Sequence, residues 1–139
     1  MKTPVTLAIL ALACALTPPA LHAQEEAPSA SPKVVGILFY ADTCGSCKVL
    51  DPKIEAVKKE FAEEAVLFTR VDLSNDFTKH QSKLHCSLMG LNEIYAEHSA
   101  KTGFMLLVDA KEKKVLGKLV KTQTEDEIKA AIKTALAAR

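Results

Sequence analysis

The chain predicts an α/β domain with elements in the order βαβαββα, a mixed four-stranded sheet flanked by helices. Three observations carry that expectation. Two strand-length apolar runs, Val34–Tyr40 and Val66–Asp72, flank a stretch with helical period. Phe104–Val108 and Val115–Val120 are separated by a turn too short for a crossover. A capping sequence, Thr124-Glu125-Asp126-Glu127, then opens a last helix.

Val34-Val35-Gly36-Ile37-Leu38-Phe39-Tyr40 is continuously apolar rather than alternating, the pattern of a strand covered on both faces. From Cys47 onward the period changes. Leu50, Ile54, Val57 and Phe61 recur at spacings of 4, 3 and 4, with charged residues between them, which places one apolar stripe on a helix. Pro52 lies inside that helix and should kink it about one turn in. A helix between two strands makes a βαβ unit, so the first two strands are expected to be parallel.

Residues 73–103 read as mostly helical, with Leu84, Leu88, Leu91 and Tyr95 as the stripe and Gly90 weakening the middle. The charged turn Ala110–Lys114 joins the third and fourth strands as an antiparallel hairpin. Thr124 and Glu127 form a capping box for a helix that aligns Ile128, Ile132 and Leu136.

Composition narrows the function. Of 139 residues, 48% are apolar and 25% charged, with 18 basic against 17 acidic side chains. That excludes a disordered chain and gives no electrostatic footprint for nucleic acid. Four cysteines are too few for a disulfide scaffold, so their positions must explain them.

The first 23 residues read as an address. Met1 and Lys2 give a charged start, Val5–Leu16 is an apolar run too short to span a bilayer, and Leu21-His22-Ala23 follows Pro18-Pro19 as a small-residue exit. Cleavage after Ala23 is expected, giving an exported protein, periplasmic or secreted, with no membrane span. Retention as an anchor and acylation at Cys14 are the alternatives. Residues 24–33, rich in Glu, Ala, Ser and Pro, read as a flexible tether, and residues 34–139 as the domain. Cleavage leaves Cys44, Cys47 and Cys86, in compartments where disulfides persist.

Cys44-Gly45-Ser46-Cys47 falls between the end of a strand and the start of a helix. A helix N-terminus offers unpartnered N–H groups and a dipole that favours negative charge. A cysteine there has its thiolate stabilised, and the thiolate is the nucleophile. Two intervening residues let the second cysteine reach back, so Cys44 would attack a disulfide and Cys47 resolve the mixed disulfide.

Residues 34–72, with Phe39-Tyr40-Ala41-Asp42-Thr43-Cys44-Gly45-Ser46-Cys47-Lys48 at their centre, resemble a thioredoxin-fold protein. Pro52 falls where that family has its helix-kinking proline, and the ββα tail has the family order, so the likeness covers roughly 34–72 and 103–138. The resemblance implies a thiol–disulfide oxidoreductase with a redox-active Cys44–Cys47 disulfide and no metal or other cofactor. Its partners would be protein thiols and disulfides and a redox-recycling partner. It also implies a substrate-facing surface made by Thr43, Gly45, Ser46 and Gly103. The departures are specific. Thr43 stands where the family has Trp, Leu38 where it has a buried acid, and Gly103 or its neighbours where it has a cis-proline; no proline occurs in Lys101–Met105. Only the tether precedes the first strand, in place of the family's extra strand and helix.

Alternatives remain for each site residue. Cys44 and Cys47 could form a permanent bridge or half of a zinc site, with His80, His85, Cys86 or His98 completing it if residues 73–103 fold over the pair. A non-catalytic metal-handling or partner-docking module on the same fold is therefore the second reading. Cys86 reads as a buried small hydrophobe near Leu84 and Leu88, or as a third redox thiol or intermolecular bridge. His80 and His98 are expected on a solvated face. Lys48 is a solvated first-turn residue or a charge favouring the Cys44 thiolate.

Overall fold

A computed structural model describes residues 31–139. The expected leader, Cys14 and most of the tether lie outside the described residues. The elements run β1 (Val34–Tyr40), α1 (Gly45–Lys58, continued by a 3-10 turn at Lys59–Phe61), β2 (Val66–Asp72), α2 (Asp76–Leu88), α3 (Asn92–His98), β3 (Phe104–Asp109), β4 (Val115–Val120) and α4 (Glu125–Ala137). The sheet order is β2-β1-β3-β4. β1 and β2 pair parallel, with Val34 opposite Val66 and Tyr40 opposite Asp72, and β3 pairs antiparallel with both β1 and β4.

β1 sits inside the sheet, and Val34–Phe39 are all buried, as a continuous apolar run requires. Its side chains alternate between two cores. Val34 and Leu38 join Leu50, Ile54, Val57 and Phe61 of the α1 segment, with Ile128 and Ile132 of α4. Val35, Ile37 and Phe39 join Cys86, Leu91 and Ile94 on the opposite face. The 4-3-4 stripe of α1 is thus buried in full, each side chain contributing roughly 1.5–3 kcal/mol of apolar burial. The helix continues through Pro52, whose ring withholds one amide from its ladder. At α4 the capping box forms: the Glu127 N–H donates to Thr124 Oγ1 (3.2 Å), and the Thr124 N–H donates to Glu127 Oε2 (2.7 Å).

The stripe expected in residues 73–103 is not one face. Gly90 takes φ +69, the Leu91 N–H donates to the Cys86 carbonyl (2.7 Å), and the Gly90 N–H to the Ser87 carbonyl (3.1 Å). These bonds close α2 with a left-handed cap, so the chain turns before α3 begins. Leu91 is buried from the far side of the turn, while Leu84 and Leu88 face solvent. Ser82 and Cys86 are the buried face of α2 instead, and the Ser82 hydroxyl donates to the Asp72 carbonyl (3.0 Å).

Candidate active site

The site forms where β1 ends. The chain turns at Asp42 and Thr43, and the Cys44 N–H donates to the Ala41 carbonyl (3.0 Å). The Asp42 N–H donates to Ser74 Oγ (3.0 Å), which ties this turn to the β2–α2 loop. Cys44 is the N-cap of α1, in extended conformation (φ −81, ψ 106), and its Sγ accepts the Cys47 N–H at 3.2 Å. A sulfur thereby takes the place that serine or aspartate oxygen commonly fills at a helix start. Negative charge on that sulfur meets an amide that would otherwise lack a partner.

Cys47, one turn along, has no solvent exposure, whereas Cys44 is half-buried. Cys47 Sγ lies 3.7 Å from the Phe39 carbonyl oxygen, and the Gly103 N–H donates to the same carbonyl at 2.8 Å. One carbonyl at the top of β1 therefore meets both the second thiol and the loop entering β3. Gly103 adopts φ +89, and a Cβ on it would lie 3.2 Å from Cys44 Sγ. The β3 loop, which contains no cis peptide, is thus packed directly over the cysteine pair.

The two thiols are electrostatically unlike. Burial pushes the Cys44 thiol up, but hydrogen bonds from the Cys47 thiol, the Thr102 hydroxyl and the backbone N–H groups of Cys47 and Ser46 outweigh it, so its pKa lies below the ordinary cysteine value. Burial first, then donation to Cys44 and the charge forming there, hold the Cys47 thiol above that value. The arrangement supports one reactive thiolate with a protonated, shielded neighbour.

The other predicted residues divide. Thr43 and Gly45 are exposed beside Cys44, Ser46 is half-buried, and a Cβ at Gly45 would meet nothing within 4 Å. Leu38 is buried in the α1–α4 core, so no carboxylate stands at that position. Lys48 is exposed. His80 faces solvent, but His98 does not: it packs edge-on against Phe39 and Phe104, with ring centroids 6.0 and 6.2 Å away. Cys86 is buried as expected, though on the face of α2 opposite Leu84 and Leu88. His85 Nε2 hydrogen-bonds Thr69 Oγ1 (2.9 Å) at the sheet edge. Among the described residues, no three His, Cys, Asp or Glu side chains stand together as a metal-ligand set. No described helix is long and apolar enough to cross a membrane.

Sequence reasoning missed two participants. Thr102 carries the hydroxyl that lowers Cys44, and its place next to Gly103 in the predicted substrate-facing loop was the available signal. The Phe39 carbonyl has no sequence signal, because any residue there would supply it. Farther out, the Arg70 guanidinium lies 4.5 Å from the centre of the Tyr40 ring and pairs with Asp51 Oδ1 (2.6 Å), linking β2 to α1 behind the site.

Comparison with known proteins bears on the family and the fold. The family model described as Thioredoxin aligns with residues 22–134. Thioredoxin-T of Drosophila melanogaster is 40% identical over 50 residues, 35% of this chain; the chain spans about a third of that relative's length, 32%. A solved thiol:disulfide interchange protein of the thioredoxin family from Chlorobium tepidum TLS superposes with TM-score 0.52 at 20% identity, covering 78% of this chain and 83% of that one. StoA from Bacillus subtilis gives 0.51 at 15% identity, over 73% and 84%. At those identities the structures establish the fold, a thioredoxin-like mixed sheet flanked by helices. With most of its residues matched by that family model, the chain belongs to the thioredoxin family.

Proposed function

We propose that the protein is an exported thiol–disulfide oxidoreductase acting on protein substrates, with Cys44 as nucleophile and Cys47 as resolving thiol. The observation that carries this reading is the pairing at the start of α1: Cys44 Sγ caps the helix and accepts the Cys47 N–H, while Cys47 is fully buried against the Phe39 carbonyl.

The chemistry balances as two exchanges. The Cys44 thiolate attacks one sulfur of a substrate disulfide, the substrate S–S bond breaks, and one substrate thiolate leaves. Cys47, once deprotonated, attacks Cys44 Sγ in the mixed disulfide, closing Cys44–Cys47 and releasing the second substrate thiol. Two electrons pass from the dithiol to the substrate, and the two dithiol protons end on the substrate thiols. The reverse sequence oxidises a substrate dithiol. A redox-recycling partner returns the pair to its starting state.

Insulin reduction with dithiothreitol as recycling reductant tests the activity, and trapping tests the roles. Cys47→Ser should accumulate a mixed disulfide through Cys44. Cys44→Ser should be inactive, with little trapping through the buried Cys47. Turnover undiminished in Cys44→Ser would overturn the assignment. Export is supported by the charged start, apolar run and small-residue exit of residues 1–23. Protein recovered from the extracytoplasmic fraction should begin at Gln24; recovery from the cytosol alone, with Met1 intact, would overturn export.

A further inference from the structure

Among the described residues, no element covers the outward, apolar face of α2. Phe77, Leu84 and Leu88 are 70%, 53% and 89% exposed. At 3.6 residues per turn they fall within about 40° of one another, directly opposite the buried Ser82 and Cys86. With Gln81 they form the spacing 77, 81, 84, 88, the 4-3-4 repeat of a helix that packs knobs into holes against another helix. The core of this domain does not use that seam.

We propose that the seam binds a second copy of the chain, α2 against α2 in antiparallel orientation about a twofold axis. The register is self-complementary. Phe77 falls opposite Leu88 of the second copy and Gln81 opposite its Leu84, and each relation returns when the copies are exchanged, as an isologous interface demands. The residues flanking the seam are Thr78, His80, His85 and Ser87, so neither copy brings a lysine or a carboxylate against itself. Lys79 and Lys83 lie toward the sheet side of α2, where they would not meet an anionic surface laid on the seam.

The area sets the strength. Three such side chains expose on the order of 400 Å² of apolar surface, the size of the largest patch on a typical monomer and one that is often functional. Doubled across the twofold and joined by the flanking polar side chains, it reaches about 1,200 Å², the lower end of specific interfaces, and so gives a weak, concentration-dependent dimer. Because α2 begins beside the Asp42–Ser74 contact and runs away from the cysteines, antiparallel pairing leaves the two Cys44 sites at opposite ends, both open.

Sedimentation velocity between about 5 μM and 1 mM tests the proposal. The protein should pass from monomer to dimer across that range. Leu84→Glu with Leu88→Glu, both at exposed positions, should weaken association at least tenfold with an unchanged far-UV spectrum. Gln81→Leu should tighten it several-fold. Register is read in a Cys44→Ser, Cys47→Ser background: Phe77→Cys mixed with Leu88→Cys should yield a disulfide-linked heterodimer, and neither alone should cross-link, since like residues lie about 16 Å apart along the axis. A monomer at 1 mM overturns the proposal, as does cross-linking of Phe77→Cys with itself. Vesicles of anionic lipid that capture the wild-type monomer but not the double glutamate variant would assign the seam to a membrane and overturn it equally.

Discussion

Gly103 and Ser46 approach so closely that a Cβ on Gly103 would lie 2.6 Å from the Ser46 Cβ. The contact presses the loop before β3 onto the first turn of α1, with Cys44 Sγ beneath it. At φ +89 the position also disfavours any L side chain. Gly103→Ala should therefore cost about 1–3 kcal/mol in urea denaturation and slow alkylation of Cys44 as the loop shifts. Gly103→Pro should do worse, because proline fixes φ near −65° and removes the N–H donated to Phe39. A proline variant of unchanged stability would show that the loop accommodates the residue found in much of the family.

The thiol pair should titrate apart. Alkylation of the reduced protein by iodoacetamide should follow an ionisation below that of free cysteine, at Cys44, with Cys47 reacting only well above it. Cys47→Ala and Thr102→Val each remove a donor to Cys44 Sγ and should move its reactivity profile to higher pH. The sign for stability follows. A depressed Cys44 pKa stabilises the reduced fold at pH above the unfolded thiol's value, and that stabilisation is lost as pH falls through the folded value.

Leu38 fills the core position at which other members of the family place an acid. Leu38→Ala should cost about 2–4 kcal/mol by urea titration, since Ile54 and Met105 cannot fully close the space. Leu38→Asp should cost more in stability, because an isolated carboxylate would enter an apolar core.

Cys86 is a packing residue by its surroundings, between Ile37, Leu91 and Ile94, and burial raises its thiol pKa. Cys86→Ala should leave insulin reduction unchanged and cost about 1 kcal/mol. Under native conditions Cys86 should resist alkylation long after Cys44 has reacted. Loss of turnover in that variant would reinstate a redox role.

Asp109 ends β3 nearly fully buried. It accepts the Glu112 N–H (2.5 Å) and Lys111 N–H (2.7 Å) and pairs with Arg139 Nε (2.5 Å), and these hold its carboxyl below the usual range, the Glu112 amide foremost. Its stabilisation is present above the unfolded carboxylate pKa of about 4 and is lost as pH falls through the lower folded value. The stability difference between wild type and Asp109→Asn should be full at pH 7 and shrink below pH 4.

The bounds of β1 and β2, the buried face of α1, the capping box at Thr124 and the position of Cys44 at a strand–helix junction were all legible in the chain. Each is a local matter: periodicity selects helix or strand, and a cap needs only residues three apart. The reading of residues 73–103 failed where local pattern was ambiguous. Four leucine and tyrosine positions matched one helical face, yet a single glycine in the left-handed region divided them between a solvent face and a core.

What only the tertiary structure decided is which distant groups meet. The order β2-β1-β3-β4 brings the loop before β3, more than fifty residues after the cysteine pair in sequence, onto Cys44, and so supplies Gly103 and the Thr102 hydroxyl. The sequence by itself determined that a cysteine would cap a helix. Folding determined that its partner would be buried against the Phe39 carbonyl, because desolvation and long-range hydrogen bonds exist only once the elements have packed.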